Sequence, residues 1–136
     1  METSRTPPAA VAVVLLTLAW TALAQAHHSF AADYDVKKPV TLIGTVVRAE
    51  WTNPHVHFYM SVADAAGART EWELEMGAVN GLFRRGWTRS MLAAGDVVTV
   101  EGYLARERAN QANARVITLR DGRKMSGGTV PEAQAN

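Results

Sequence analysis

The sequence predicts a mainly β protein, a small five-stranded OB-like barrel with one or two short helices between strands 3 and 4. Three observations lead there. Five β-branched or alternating runs are packed into residues 40–124, each short enough for a small barrel. The period of two lapses at length only between Gly77 and Gly95, after the third run and before the fourth. The chain then returns to strand at Gly95-Asp96 followed by alternating valines, the manner in which many such barrels begin a fourth strand. With five strands, a flat sandwich is the weaker alternative.

The first run, Val40 to Trp51, is rich in β-branched residues, has Gly44 as a bend or bulge, and ends at the turn signal Asn53-Pro54. From His55 to Val62 the alternation is clean, with Val56, Phe58, Met60 and Val62 on one face and His55, His57, Tyr59 and Ser61 on the other. Asp64 to Gly67 turns the chain. Thr70 to Met76 alternates again, with Trp72, Leu74 and Met76 inward and Glu71, Glu73 and Glu75 outward, so the two runs read as a hairpin. Between Gly77 and Gly95 the apolar residues Leu82, Phe83, Trp87, Met91 and Leu92 fall at helical spacings. Asn80 is the expected cap of a first short helix, Thr88 of a second, and Gly95 the stop. Asp96 to Leu104 and Ala114 to Leu119 are the last two strands, before Asp121-Gly122.

Ahead of these elements lies a segment that reads as targeting. Ala9 to Ala24 is a nearly unbroken apolar run of 16 residues, shorter than the roughly 20 a spanning helix wants. Arg5 precedes it, and Ala24 and Ala26 form the A-x-A pattern of a signal-peptidase site, with Ala22 and Ala24 a competing one. Residues 1–26 are therefore expected to be a cleavable signal peptide, residues 27–39 an N-terminal arm, 40–124 the barrel and 125–136 a flexible tail. The expected destination is the periplasm, with no membrane span after cleavage.

Composition narrows the function classes. Of 136 residues, 48% are hydrophobic and 20% charged, which argues against long-range disorder. The net charge is +1, and it stays +1 without residues 1–26 because Arg5 and Glu2 leave together. Such a balance offers no general attraction for nucleic acid or an anionic membrane, and no nucleic-acid partner is expected. The chain has no cysteine, so disulfides, thiolate nucleophiles and cysteine-ligated metal sites are all excluded. A domain of this size can still bury a core without such staples.

Seven motifs in order are familiar: His27-His-Ser-Phe30, Trp51-Thr-Asn-Pro-His55, Glu75-Met-Gly77, Asn80-Gly-Leu with Arg85-Gly-Trp87, Gly95-Asp-Val-Val-Thr-Val-Glu-Gly102, Asn113-Ala-Arg115 and Asp121-Gly-Arg123. On these the chain resembles a family of small exported bacterial proteins known only as a domain of unknown function. The resemblance covers essentially all of the chain after the signal. It implies export to the periplasm, a small β-barrel and no assigned activity. It also implies an aromatic or aliphatic residue where this chain has His57, so a mechanism requiring His57 would not belong to the family as a whole.

The four histidines fall in two pairs, His27-His28 and His55-x-His57. Two residues apart on a strand puts both side chains on one face, roughly 7 Å apart along the backbone, with the outward glutamates as cross-strand neighbours. Cleavage after Ala26 would add a free α-amine at His27, and an amine with imidazoles is a strong nitrogen set for Cu(II). The metal-ligand candidates are thus His27, His28, His55 and His57, with copper the expected ion. Alternate Glu71, Glu73 and Glu75 read first as a solvated face, and they imply no acid–base pair. Trp51, Asn53, His55 and Trp87 are the candidate ligand-binding face, and Arg84, Arg85 and Arg89 a local positive patch.

No phosphate loop, nucleophile elbow or zinc-protease motif is present, and Ser29 and Ser90 lack a triad pattern. The sequence therefore predicts a non-enzymatic periplasmic binding module for an unknown small ligand or partner protein. The alternative is a periplasmic copper-binding protein using the terminal and strand histidines.

Overall fold

The computed structural model describes residues 30–129. The expected signal segment, His27, His28 and the end of the tail lie outside them. The described chain is mainly β: β1 Tyr34–Glu50, β2 His57–Ala63, β3 Arg69–Glu75, the short helix α1 Val79–Arg84, a 3-10 turn Arg89–Leu92, β4 Val97–Ala105, β5 Gln111–Thr118 and β6 Lys124–Ser126.

The strands form one sheet in the order β3-β2-β1-β4-β5-β6, and β3 also pairs with β5. That extra pairing is parallel, with Glu73 opposite Gln111, Leu74 opposite Ala112 and Glu75 opposite Asn113, while the other pairings are antiparallel. Hydrogen bonding thus runs in a circuit through β1, β2, β3, β5, β4 and back to β1. The 17-residue β1 serves two neighbours, pairing with β4 through residues 39–45 and with β2 from Gly44 onward. Gly44 sits at that handover, where a Cβ would lie 2.6 Å from both Ser61 O and Met60 Cε. Only glycine lets the strands approach there.

The alternation read from the sequence is what fills the core. Val56, Phe58, Met60, Leu74, Met76, Val98, Val100 and Ile117 are buried, while His57, Tyr59, Glu73 and Glu75 between them stay partly open to solvent. α1 and the 3-10 turn close one end of this core with Val79, Leu82, Trp87 and Leu92.

Several boundaries differ from the expectation, each for a local reason. There are six strands, not five: Asp121-Gly122 turns the chain back so that residues 124–126 pair with β5. Met125 and Ser126, at the start of the expected tail, therefore belong to the sheet edge. β1 begins at Tyr34, six residues before Val40, so Tyr34 to Pro39 of the expected arm are strand. The register shifts between Tyr34 and Pro39, which hides the period of two across residues 35–38. α1 starts at Val79 after Ala78, because Val79 is drawn into the core, and Asn80 is inside the helix rather than its cap. Thr88 does precede the 3-10 turn, but its hydroxyl meets Ser90 Oγ at 3.1 Å instead of capping a backbone N–H.

Candidate binding site

The β2–β3 hairpin sets the outward face on which most polar side chains converge. His57 stands opposite Glu75, and Tyr59 opposite Glu73. His55, just before β2, reaches the same end of the hairpin. Its Nδ1 lies 2.5 Å from Glu75 Oε1, and His57 Nδ1 lies 3.0 Å from Glu73 Oε1. The His57 contact is close but poorly aligned, which leaves that buried nitrogen without a true hydrogen bond.

The second oxygen of Glu75 is taken from another direction. Tyr34, at the start of β1 and only 3% exposed, donates its hydroxyl to Glu75 Oε2 at 2.5 Å. Burial and the hydrogen bond to Glu75 hold the Tyr34 phenol far above its ordinary pKa, so it remains a neutral donor at any physiological pH. The segment before Tyr34 is fastened by Arg106 beyond β4. Its backbone N–H donates to Asp33 O and its Nε to Ala31 O, both at 2.8 Å. Its guanidinium also stands 3.6 Å from Asp35.

Between this fastened segment, the hairpin and the start of β5 lies an open cleft of about 490 Å³. Asp33, Tyr34, His57, Glu75, Glu107, Arg108 and Gln111 line it. Three carboxylates face one guanidinium there, so the cleft favours positive charge. Gln111 is buried and belongs to the β3–β5 pairing that makes the floor. Among the described residues no set of three or more His, Asp or Glu side chains is disposed to hold a metal ion.

The other candidate face is arranged differently. Trp51 and Trp87 are brought together, with ring centroids 6.2 Å apart, but both are buried. Trp87 Nε1 donates to Ser126 O at 2.8 Å, whereas Trp51 Nε1 is buried without a partner. Trp51 stacks on the partly exposed Phe83, and Arg89 donates to Trp51 O at 3.3 Å. Asn53 is exposed and joined to Pro54 by a cis peptide bond. His55 turns away from the tryptophans to Glu75. His55 and His57 are thus brought together with Glu75 and Glu73 as their alternation suggests, Glu71 pairs with Arg48 instead, and Trp51 and Trp87 are joined to the core. Tyr34, Arg106, Glu107, Arg108 and Gln111 were not singled out from the sequence. Their contacts are long-range, and only Tyr34, an isolated aromatic in a polar stretch, carried any signal.

The fold and site define a small mainly β domain with a polar, net acidic cleft at the end of its β2–β3 hairpin. The chain belongs to a family of unknown function, DUF6152, whose model matches residues 14–114. No curated protein matches it. Among solved structures it is similar to the N-terminal domain of PriB protein from Thermoanaerobacter tencongensis, at 23% identity and a TM-score of 0.46, covering 71% of this chain and 99% of that one. No residue role is carried over from that similarity. Among the described residues no helix is long and apolar enough to cross a membrane.

Proposed function

We propose that this protein is an exported, non-enzymatic binding module of the periplasm that holds a small cationic ligand in the cleft beside Tyr34. The observation that supports this most is the cleft itself: about 490 Å³, walled by Asp33, Glu75 and Glu107 against Arg108 alone. The circuit of strand pairing through β3 and β5 supports reading the fold as an OB-type barrel, and the outward side of β2 and β3 is where that fold usually binds. Acidic walls favour a small cation over a nucleic acid, whose phosphates they would repel. The apolar run and A-x-A pattern of residues 9–26 support export.

Binding without turnover fits the side chains present. Tyr34 is held as a neutral donor, and Glu75 is committed to Tyr34 and His55. The test is a thermal-shift and amide-NMR screen of the exported protein against small amines, divalent metal ions and a single-stranded oligonucleotide. A cation that raises the melting temperature and perturbs Tyr34 and Gln111, with both effects lost in Glu75→Gln, is the expected result. Perturbation of the cleft by the oligonucleotide alone would overturn the reading.

A further inference from the structure

The charged side chains of the cleft divide into those already spent and those still open. Glu75 gives Oε2 to the Tyr34 hydroxyl and Oε1 to His55. Arg106, just beyond β4, is spent on Ala31 O and on Asp35. Arg108, two residues further on, lines the cleft and meets no carboxylate within ion-pair distance among the described residues. The carboxylates of Asp33 and Glu107 line the same cleft and, among the described residues, meet no cation. Behind burial and Glu75, the charge of Asp33 also raises the Tyr34 phenol, so this open carboxylate stands near the hydroxyl.

Open carboxylates alone define no ligand, but the floor beneath them adds a second observation. Asn110 takes a left-handed turn, φ 55, and delivers Gln111 into the first pairing of β5 with β3. Gln111 is only 7% exposed and lines the cleft, and its side-chain amide has no hydrogen-bond partner among the described residues. A buried amide is normally paired, so one left open toward a cleft points to a ligand that supplies the partner. A primary amide both donates and accepts, which suits an ammonium and a carboxylate carried on one carbon.

Resting on the binding-module reading above, we propose that the cleft recognises a basic α-amino acid, with its carboxylate on Arg108, its two cationic groups on Asp33 and Glu107, and its α-carbon end over the Gln111 amide. The charges match one to one. One open guanidinium meets one carboxylate through parallel N–H donors, and two open carboxylates meet two cationic groups. A diamine would leave Arg108 facing like charge, and a neutral amino acid would leave one wall carboxylate unmatched. Glu75, held by Tyr34 and His55, adds its charge to the wall without needing to move. The volume of about 490 Å³ lies within the range of small-molecule sites.

The test is calorimetric titration of protein exported to and purified from a periplasm, with L-lysine, L-ornithine and L-arginine and with three relatives of lysine that each lack one group. Cadaverine lacks the carboxylate, 6-aminohexanoate the α-amine and L-norleucine the ε-amine. At least one basic amino acid should bind at micromolar to submillimolar Kd. Each lysine relative should bind about tenfold more weakly than lysine or worse, the loss of one charge-assisted hydrogen bond. Arg108→Gln, an exposed position where folding is not at stake, should weaken lysine by the same factor and leave cadaverine unchanged, so that the preference between them disappears. Asp33→Asn and Glu107→Gln should weaken both ligands. Gln111→Leu, with its fold established by circular dichroism and thermal unfolding, should weaken lysine more than cadaverine.

Cadaverine binding as tightly as lysine overturns the proposal, and so does a lysine preference that survives in Arg108→Gln. The two readings separate cleanly. If simple amines shift Tyr34 and Gln111 while no basic amino acid is preferred over its decarboxylated relative, the amino-acid proposal fails and the binding module stands. If neither amines nor amino acids act on the cleft, both fail.

Discussion

Tyr34 and Glu75 are 41 residues apart and joined by a 2.5 Å hydrogen bond, so the first residue of β1 is tied to the last residue of β3. Glu75 receives Tyr34 on Oε2 and His55 on Oε1, which makes one carboxylate the hub of the cleft. Tyr34→Phe keeps the ring and removes the donor. Leaving a part-buried carboxylate oxygen short of a partner should cost about 1–3 kcal/mol. In a domain of this size each kcal/mol lowers the melting temperature by about 4–8 °C. A melting temperature equal to wild type would show that the bond contributes nothing to stability.

The same phenol sets a pH response. Its pKa in the fold is raised, chiefly by burial and then by the Glu75 hydrogen bond, whereas in the unfolded chain it ionises near its ordinary value of 10.0. The native state therefore holds a proton that the unfolded state releases, and stability present below pH about 10 falls as pH rises beyond it. Denaturant unfolding followed between pH 8 and 11 should show this decline in wild type and a shallower one in Tyr34→Phe. Parallel curves for the two proteins would remove Tyr34 from the account.

What could be read from the sequence, and what could not, divides along contact range. Phe58 and Met60, or Val98 and Val100, announce their burial by alternating with polar neighbours, so the central strands and the outward histidines and glutamates were legible. Tyr34 is as buried as these, yet its neighbours at 35–38 bulge out of register and erase the pattern. β6 pairs one apolar residue, Met125, between Lys124 and Ser126, too short a run to show a period. The cleft was invisible for the same reason. It is assembled from residues near 33, 57, 75 and 108, which the β1–β4, β2–β3 and β3–β5 pairings bring together.

Gly102 marks the register shift where β4 crosses β5, and a Cβ there would fall 1.7 Å from Asn113 O. A backbone carbonyl cannot swing aside as a side chain can. Gly102→Ala should therefore cost about 3 kcal/mol or more, the upper end for overpacking. Gly122 has φ +87 with no atom near its missing Cβ, so Gly122→Ala should cost only the left-handed backbone strain, about 1–2 kcal/mol. Chemical denaturation of both variants checks the order, and an equal loss would mean that the strands separate easily at Gly102.

The two core tryptophans differ in one atom's fortune. Trp87 Nε1 donates to Ser126 O and so pins β6 to the helical end of the core, while Trp51 Nε1 is buried with no partner. Replacing either by Phe removes similar volume. At Trp87 it also strands a carbonyl, and at Trp51 it relieves an unsatisfied donor while keeping a ring to stack on Phe83, 5.8 Å away. Trp87→Phe should thus be more destabilising than Trp51→Phe by about 1–2 kcal/mol. Equal effects in urea unfolding would mean that the Ser126 bond is replaced by water at little cost.

The amino terminus is where the export reading can be checked on the molecule itself. If signal peptidase cuts at the Ala24-x-Ala26 pattern, the mature chain begins at His27. If it cuts at the competing Ala22-x-Ala24 pattern, Gln25 and Ala26 stand in front of it. Intact-mass measurement of protein purified from a periplasm distinguishes the two. A mass starting at His27 is the expected result, because both patterns end an apolar run of 16 residues, too short to span a membrane, and the later one leaves the longer spacer behind that run. A start at Gln25 would move the cut to the earlier pattern and keep export, whereas a mass that retains residues 1–24 would overturn it.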